Sequence, residues 1–290
     1  MNDFIIVTDS SCDLPYSYIQ EHNLTCLPLH FTFDGQEYED DLGKDNLAKK
    51  LYEAMRRGAM TSTAQVNTDS FLSFFSSYLE KGIDLLYLGF SSALSGTFAS
   101  AHAAQGMLSK KFPESKLIVV DTLCASMGQG MLVHHCLKKK EEGQGIDEIA
   151  QWAEENKLKV NHCFTVDDLT YLKRGGRVSG AAAFIASMLD IKPVMYVDDN
   201  GRLVPLSKTR GRKKSIRALV DKVIQHAVDP ANNTLMITHG DCMEDVQLAL
   251  KLIEQEIRFK EVYIREVGPT IGSHSGPGTL AIFFMSDKRY

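Results

Sequence analysis

Short apolar runs alternate with longer stretches of helical periodicity along the whole chain, and this alternation predicts most of its elements. Residues 4–7 read as a buried strand, followed by Thr-Asp-Ser-Ser and by Pro15, which suits the first turn of a helix. The spacing predicts helices over 45–57 and 69–80, a strand over 84–90, an Ala-rich helix over 95–107 and a third strand over 117–121. Helices over 126–140 and 147–156 follow. Strand and helix repeated in this way imply a parallel sheet with helices on its faces.

After about residue 159 the texture changes. A strand over 161–166 precedes an Ala-rich helix over 180–189. Strands over 192–197 and 203–209 flank Asp198-Asp199-Asn200-Gly201, and Asn-Gly between two such runs is a hairpin signal. A helix over 212–227, a strand over 234–238, a helix over 244–257 and strands over 261–266 and 280–285 complete the chain. A mixed sheet with helices on one side fits this half better than a second doubly wound domain. At 290 residues two domains are expected, placed at 1–159 and 160–290, in an α/β fold.

Composition narrows the function classes. Apolar residues make up 44% and charged residues 24%, as in an ordinary globular protein. A net charge of −5 offers no general attraction to nucleic acid. The N-terminus has no basic region before its apolar run of four, so a secretory signal is not expected, and no window of about 18 apolar residues predicts membrane insertion. Six scattered cysteines without a CxxC pair point to reduced thiols and a cytoplasmic location. No zinc spacing occurs; His134, His135 and Cys136 are consecutive and would diverge on a helix. The Walker pattern is absent, as is Gly-x-Gly-x-x-Gly after the first strand, so neither metal nor cofactor is expected.

Four clusters carry candidate chemistry. In Gly89-Phe-Ser-Ser-Ala-Leu-Ser-Gly-Thr97 a strand ends, a hydroxyl-rich turn follows and a helix begins. Open α/β sheets bind ligands beyond the carboxyl ends of their strands, and a helix N-terminus there suits a carboxylate or phosphate. Ser91, Ser92, Ser95 and Thr97 supply more hydroxyls than capping requires, with Gly96 allowing close approach. Thr61-Ser-Thr-Ala-Gln65 is expected in a loop between two helices, and by itself it reads as ordinary loop chemistry. Gly268-Pro-Thr-Ile-Gly-Ser-His-Ser-Gly-Pro-Gly278 is expected as a constrained loop between two strands, where His274 can donate to an anion or remain structural. Finally, seven cations and no acid lie among residues 202–217, while Lys173, Arg174 and Arg177 flank a Gly-rich stretch; both read as a docking surface or a phosphate-handling rim.

Seven motifs, in order along the chain, resemble the DegV family of bacterial fatty-acid-binding proteins. They are Thr8-Asp-Ser-Ser-Cys-Asp-Leu14, Thr61-Ser62, Ser91-Ser-Ala-Leu-Ser-Gly-Thr97, Val120-Asp121, Gly176-Arg-Val-Ser-Gly180, Lys192-Pro193 and Gly272-Ser-His-Ser-Gly-Pro-Gly-Thr279. The resemblance implies a Rossmann-like N-terminal lobe and a smaller α/β lobe with a long-chain fatty acid between them. It implies that Thr61 and Ser92 hold the carboxylate, with Ser95, Gly96 and the loop bearing His274 at the same end. It also implies a carrier rather than an enzyme, which in some members presents the acid to a separate kinase subunit for acyl-phosphate formation. Arg177 and Arg210 best match the arginines that help there. The family commonly reads Thr-Ser-x-Pro-Ser where this chain has Thr61-Ser-Thr-Ala-Gln65, a change in loop stiffness that leaves the hydroxyl at 61.

Two alternatives remain from the residues alone. One is a serine hydrolase using Ser91, with Asp121 and His274 in the right chain order, although Ala93 replaces the second glycine of the nucleophile elbow. The other is a phosphate- or nucleotide-binding protein using the same helix start.

Overall fold

Three β-sheets organise the computed structural model, which describes residues 3–178 and 190–289; the helix expected over 180–189 lies outside the described residues. Strands β1 (Phe4–Asp9), β2 (Thr25–Leu27), β6 (Asp84–Gly89) and β7 (Leu117–Asp121) form a parallel sheet in the order β2-β1-β6-β7. The central strands FIIVTD and DLLYLG are almost continuously apolar because helices cover both faces. α3 (Thr68–Leu79) and α4 (Thr97–Lys111) pack Phe71, Phe75, Ala101 and Ala104 against Val7, Leu85 and Tyr87. On the other face lie α5 (Met127–Glu141) and α6 (Ile146–Asn156). Pro15 sits at the N-cap of α1 (Tyr16–Glu21).

The second sheet is mixed. β8 (Val160–Thr165), β9 (Ile191–Val197), β10 (Leu203–Arg210), β11 (Thr234–His239), β12 (Glu261–Glu266) and β13 (Leu280–Met285) run in the order β10-β9-β8-β13-β11-β12, antiparallel except for β11 with β12. α8 (Arg212–His226) and α9 (Met243–Glu254) cover one face. The other face is closed by α5 of the first lobe, so Met127 to His134 are buried on all sides. One apolar cluster therefore runs from Leu86 and Leu88 through Met131 and Leu132 to Met236 and Phe283. Gly128 permits this packing: a Cβ there would lie 2.0 Å from Nε2 of the buried His162.

Two sequence expectations are corrected here. Thr61–Ala64 is not a loop but strand β5, the edge of a third, antiparallel sheet ordered β4-β3-β5, with β3 (His30–Phe33) and β4 (Gln36–Glu39). It packs with α2 (Leu47–Arg56) around Phe31, Phe33 and Tyr52. The Gly-rich segment after β12 is not an irregular loop either, because Pro269–Ser275 forms the helix α10. Pro269 presets the first helical φ, only Gly272 interrupts the interior, and Gly276 at φ 79 ends the helix.

Candidate functional site

The carboxyl ends of the parallel strands are tied together before any site forms. Asp9, wholly buried at the end of β1, accepts hydrogen bonds from Ser11 N–H (3.0 Å), Tyr87 O–H (2.6 Å) and Phe90 N–H (3.1 Å). Burial raises its pKa, and these donors oppose that shift. Thr122 Oγ1 donates to the Gly89 carbonyl at 2.7 Å, hanging the turn after β7 on the end of β6.

The motif after β6 spends most of its hydroxyls internally. Ser91 is buried and donates to the Gly201 carbonyl at 2.9 Å, joining the turn to the β9–β10 hairpin. Ser92 is exposed, and its N–H donates to Asp121 Oδ1 at 3.2 Å. Ser95 Oγ lies 3.0 Å from Thr97 Oγ1 and accepts from Thr97 N–H. Gly96, at the N-cap of α4, faces Gln65, whose Oε1 a Cβ would meet at 2.1 Å.

Between the strand ends and the inner face of the mixed sheet lies a cavity of about 780 Å³, mouth included. Its wall is mainly apolar, with Phe90, Leu94, Phe164, Leu203, Ile271 and Phe283 drawn from both lobes. Several polar residues on this wall are already engaged. Ser126 donates to Asp13, Thr270 to Asp40 and Thr279 to the Gly276 carbonyl; His162 contacts Ala125 N–H and the Val160 carbonyl. Thr63, Arg177 and His274 differ, because they also line a second, more polar space of about 620 Å³, mouth included, with Thr61, Ser62, Arg174 and Ser273. They form the boundary between an apolar cavity and a polar vestibule.

The geometry at that boundary is defined. Thr63 Oγ1 and His274 Nε2 are 2.8 Å apart, and Thr61 Oγ1 donates to the Ser273 carbonyl at 2.9 Å. Burial, helped by the Arg177 charge, pushes His274 down to about 4, so the ring is neutral at pH 7. Arg177 Nε donates to the Leu94 carbonyl at 3.1 Å and Nη1 to the Gly175 carbonyl. Gly175, at the end of α7 (Thr170–Arg174), is required by the imidazole: a Cβ would lie 2.2 Å from its Nδ1. Ser275 Oγ in the cavity wall and Ser273 Oγ in the vestibule are buried and lack partners among the described residues. A buried hydroxyl without a partner is a ready donor for a ligand oxygen.

The structure thus places Ser95 on the first space, Thr61 on the second and Arg177 and His274 on the wall that the two share, and leaves Ser92, Gly96 and Arg210 off the walls of both. Arg210 is exposed at the end of edge strand β10. Within the basic run, Arg202, Arg212 and Arg217 are paired with Asp198, Asp245 and Asp221. No hydrolase triad forms, because Ser91 is bound to a carbonyl, Asp121 Oδ1 to the Ser92 and Leu123 N–H groups, and His274 to Thr63. Sequence reasoning missed Thr63, which strand alternation from Thr61 would have found, and Ser275.

Comparison with known proteins agrees with this architecture. The family model described as "Uncharacterised protein, DegV family" matches residues 3–287. A DegV domain-containing protein of Clostridium perfringens is 44% identical over 289 residues, covering 100% of this chain and 99% of that protein. A Thermus thermophilus DegV-family structure described for its fatty acid binding superposes with a TM-score of 0.88 at 30% identity, covering 99% of this chain and 100% of its own. A Bacillus subtilis DegV described as a fatty acid binding protein gives 0.83 at 27% identity, with the same coverage. The chain belongs to the DegV family.

Proposed function

We propose that this protein is a carrier that binds a long-chain fatty acid, with the acyl chain in the apolar cavity and the carboxylate at its polar boundary. The observation that carries this reading is the amphipathic division of the space: apolar side chains line the cavity, and Thr63, Arg177 and His274 stand where it meets the vestibule. Arg177 supplies the charge opposite the carboxylate, while the neutral His274 and the hydroxyls of Thr63, Ser95 and Ser275 supply hydrogen bonds. Thr61 supports this end from the vestibule side. At about 0.8 kcal/mol per methylene, a tail of roughly fourteen contributes about 11 kcal/mol before association costs, so the tail sets affinity and the head group sets register. Fatty-acid binding by the Thermus thermophilus and Bacillus subtilis relatives supports the same reading.

In this reading residues 1–159 and 160–290 are two lobes that close over the acid, and the chain holds it without transforming it. The vestibule, with Arg174 exposed beside it, leaves the carboxylate end facing outward. That arrangement supports presentation to a separate kinase subunit for acyl-phosphate formation. Mass spectrometry of the purified, denatured protein tests the core of the proposal. A co-purifying long-chain acid that rebinds after delipidation supports it; failure of delipidated, folded protein to take up any fatty acid overturns it.

A further inference from the structure

The outer strand of the mixed sheet carries a separate signal. Exposed sheet edges pair with other chains unless they are short, charged, bulged or covered. Most described edges are defended in these ways. β10 contains Pro205, a register shift between Pro205 and Ser207, and the exposed cations Lys208 and Arg210. β2 has three residues and β4 reads Gln-Glu-Tyr-Glu. β7 is covered by α4, whose Gln105 donates to the Leu117 carbonyl at 2.7 Å, and β5 packs on α10. β12 has six residues, no proline and an unbroken register with β11.

The two central outward side chains of β12 are apolar. Val262 and Ile264 are 42% and 39% exposed, and a groove lined by Leu250, Ile253, Ile257 and Phe259, with Glu254 and Arg258, runs beside Val262. Tyr263 and Arg265 turn inward, onto the Tyr18 and His134 rings and the Leu14 carbonyl. Continuing the alternation by one residue at the strand's start, the outward positions read Lys260, Val262, Ile264, Glu266. This pattern complements itself when reversed: cation against anion at the ends and aliphatic against aliphatic in the middle. No ion pair within 4 Å closes on Lys260 or Glu266 among the described residues.

We propose that β12 pairs antiparallel with β12 of a second copy of this chain, about a two-fold axis through Tyr263. Lys260 then faces Glu266 of the second copy, and Val262 faces Ile264, in an isologous contact that extends the sheet from one protomer into the next. Opposite charges placed directly across strands are favourable, and like charges there are unfavourable. No residue of β12 lines the cavity, so the contact leaves the ligand site open in each copy.

Sedimentation velocity of the full chain over a concentration series tests this. The expected result is a dimer that dissociates on dilution. Lys260→Glu and Glu266→Lys each create two like-charge pairs by symmetry and raise the dissociation constant by about tenfold. The double exchange K260E/E266K restores it to within about threefold. Unchanged circular dichroism and fatty-acid binding in all three variants show that the fold survives. A monomer at every concentration overturns the proposal, as does a dimer indifferent to the single reversals or not restored by the double exchange.

Discussion

Replacing Asp13 with asparagine should make the protein more stable at mildly alkaline pH and remove much of its pH dependence. Asp13 is wholly buried with φ 53, in the turn after β1. Its Oδ1 accepts the Gly268 N–H at 2.9 Å and its Oδ2 the Ser126 hydroxyl, so it ties this turn to the starts of α5 and α10. Burial pushes the carboxyl up to about 7; the Arg265 charge and the Ser126 bond oppose the shift, and Asp40 adds to it. In an unfolded chain an aspartate titrates near 4 (about 3.9), so between that value and 7 the unfolded state binds fewer protons than the folded one. Stability is therefore complete below about pH 4 and is lost as the pH rises through 7, by about 4 kcal/mol for this one group. Asparagine keeps both contacts, with its oxygen toward Gly268 and its amide toward Ser126, whose hydroxyl can turn to Thr238 Oγ1, 3.3 Å away. Urea unfolding followed by circular dichroism at about pH 5 and about pH 8 reads the effect, with Asp13→Asn gaining on the parent by about 2.5 kcal/mol across that interval, the rest of the loss lying below about pH 5. Asp9 and Asp40 are shifted in the same direction by burial and leave a residual slope in both proteins. Parallel stability curves for the two proteins would refute the reasoning.

Three further outcomes are expected. Arg177→Met should weaken fatty-acid binding about ten- to hundredfold, because a charge-assisted bond contributes about 1.5–3 kcal/mol; displacement of a fluorescent fatty acid measures it, and unchanged affinity would remove Arg177 from the carboxylate site. Fatty-acid affinity should show no inflection near 6.5 due to His274, which burial holds neutral down to about 4. An inflection there that disappears in His274→Gln would contradict this. Arg289→Ala should cost about 3 kcal/mol or more in denaturant unfolding, because the buried guanidinium donates to the carbonyls of Leu123, Lys157, Val160 and Asp198 and holds both lobes together; a loss within error would show those carbonyls to be resatisfied by water.

What the chain reveals in advance follows from how each element is stabilised. β1 and β6 are legible because a parallel sheet buries both faces and makes the run continuously apolar. The helices α3 and α9 are legible because one face of each packs on a sheet, which imposes the 3.6-residue period. The third sheet was hidden for the opposite reason. Its strands have four residues, and Thr-Ser-Thr-Ala carries no apolar alternation, since β5 is held by pairing with β3 and by α10, which lies more than 200 residues away in the chain. α10 was concealed by its neighbours' glycines and prolines, although only two such residues fall within the helix.

The candidate site divides along the same line. Ser95 and His274 stood out as candidates from the residues, because hydroxyl and imidazole groups at a helix start and in a constrained turn suggest an anion, whereas Thr61 read as ordinary loop chemistry and became a candidate only through the family resemblance. Ser92 shows the limit of that inference. The helix start that seemed to favour it is real, but Ser91 and Ser95 turn inward while Ser92 points to solvent, and chain direction at one turn decides which hydroxyl meets the cavity. The cavity itself has no local signal. Phe90, Phe164 and Phe283 are members of buried apolar clusters, and Leu203 packs against them, as ordinary core residues do. The space among them arises because α5 wedges the two sheets apart while β5 and α10 close one end. A void depends on what several distant elements together fail to fill, so it appears only once their relative positions are fixed.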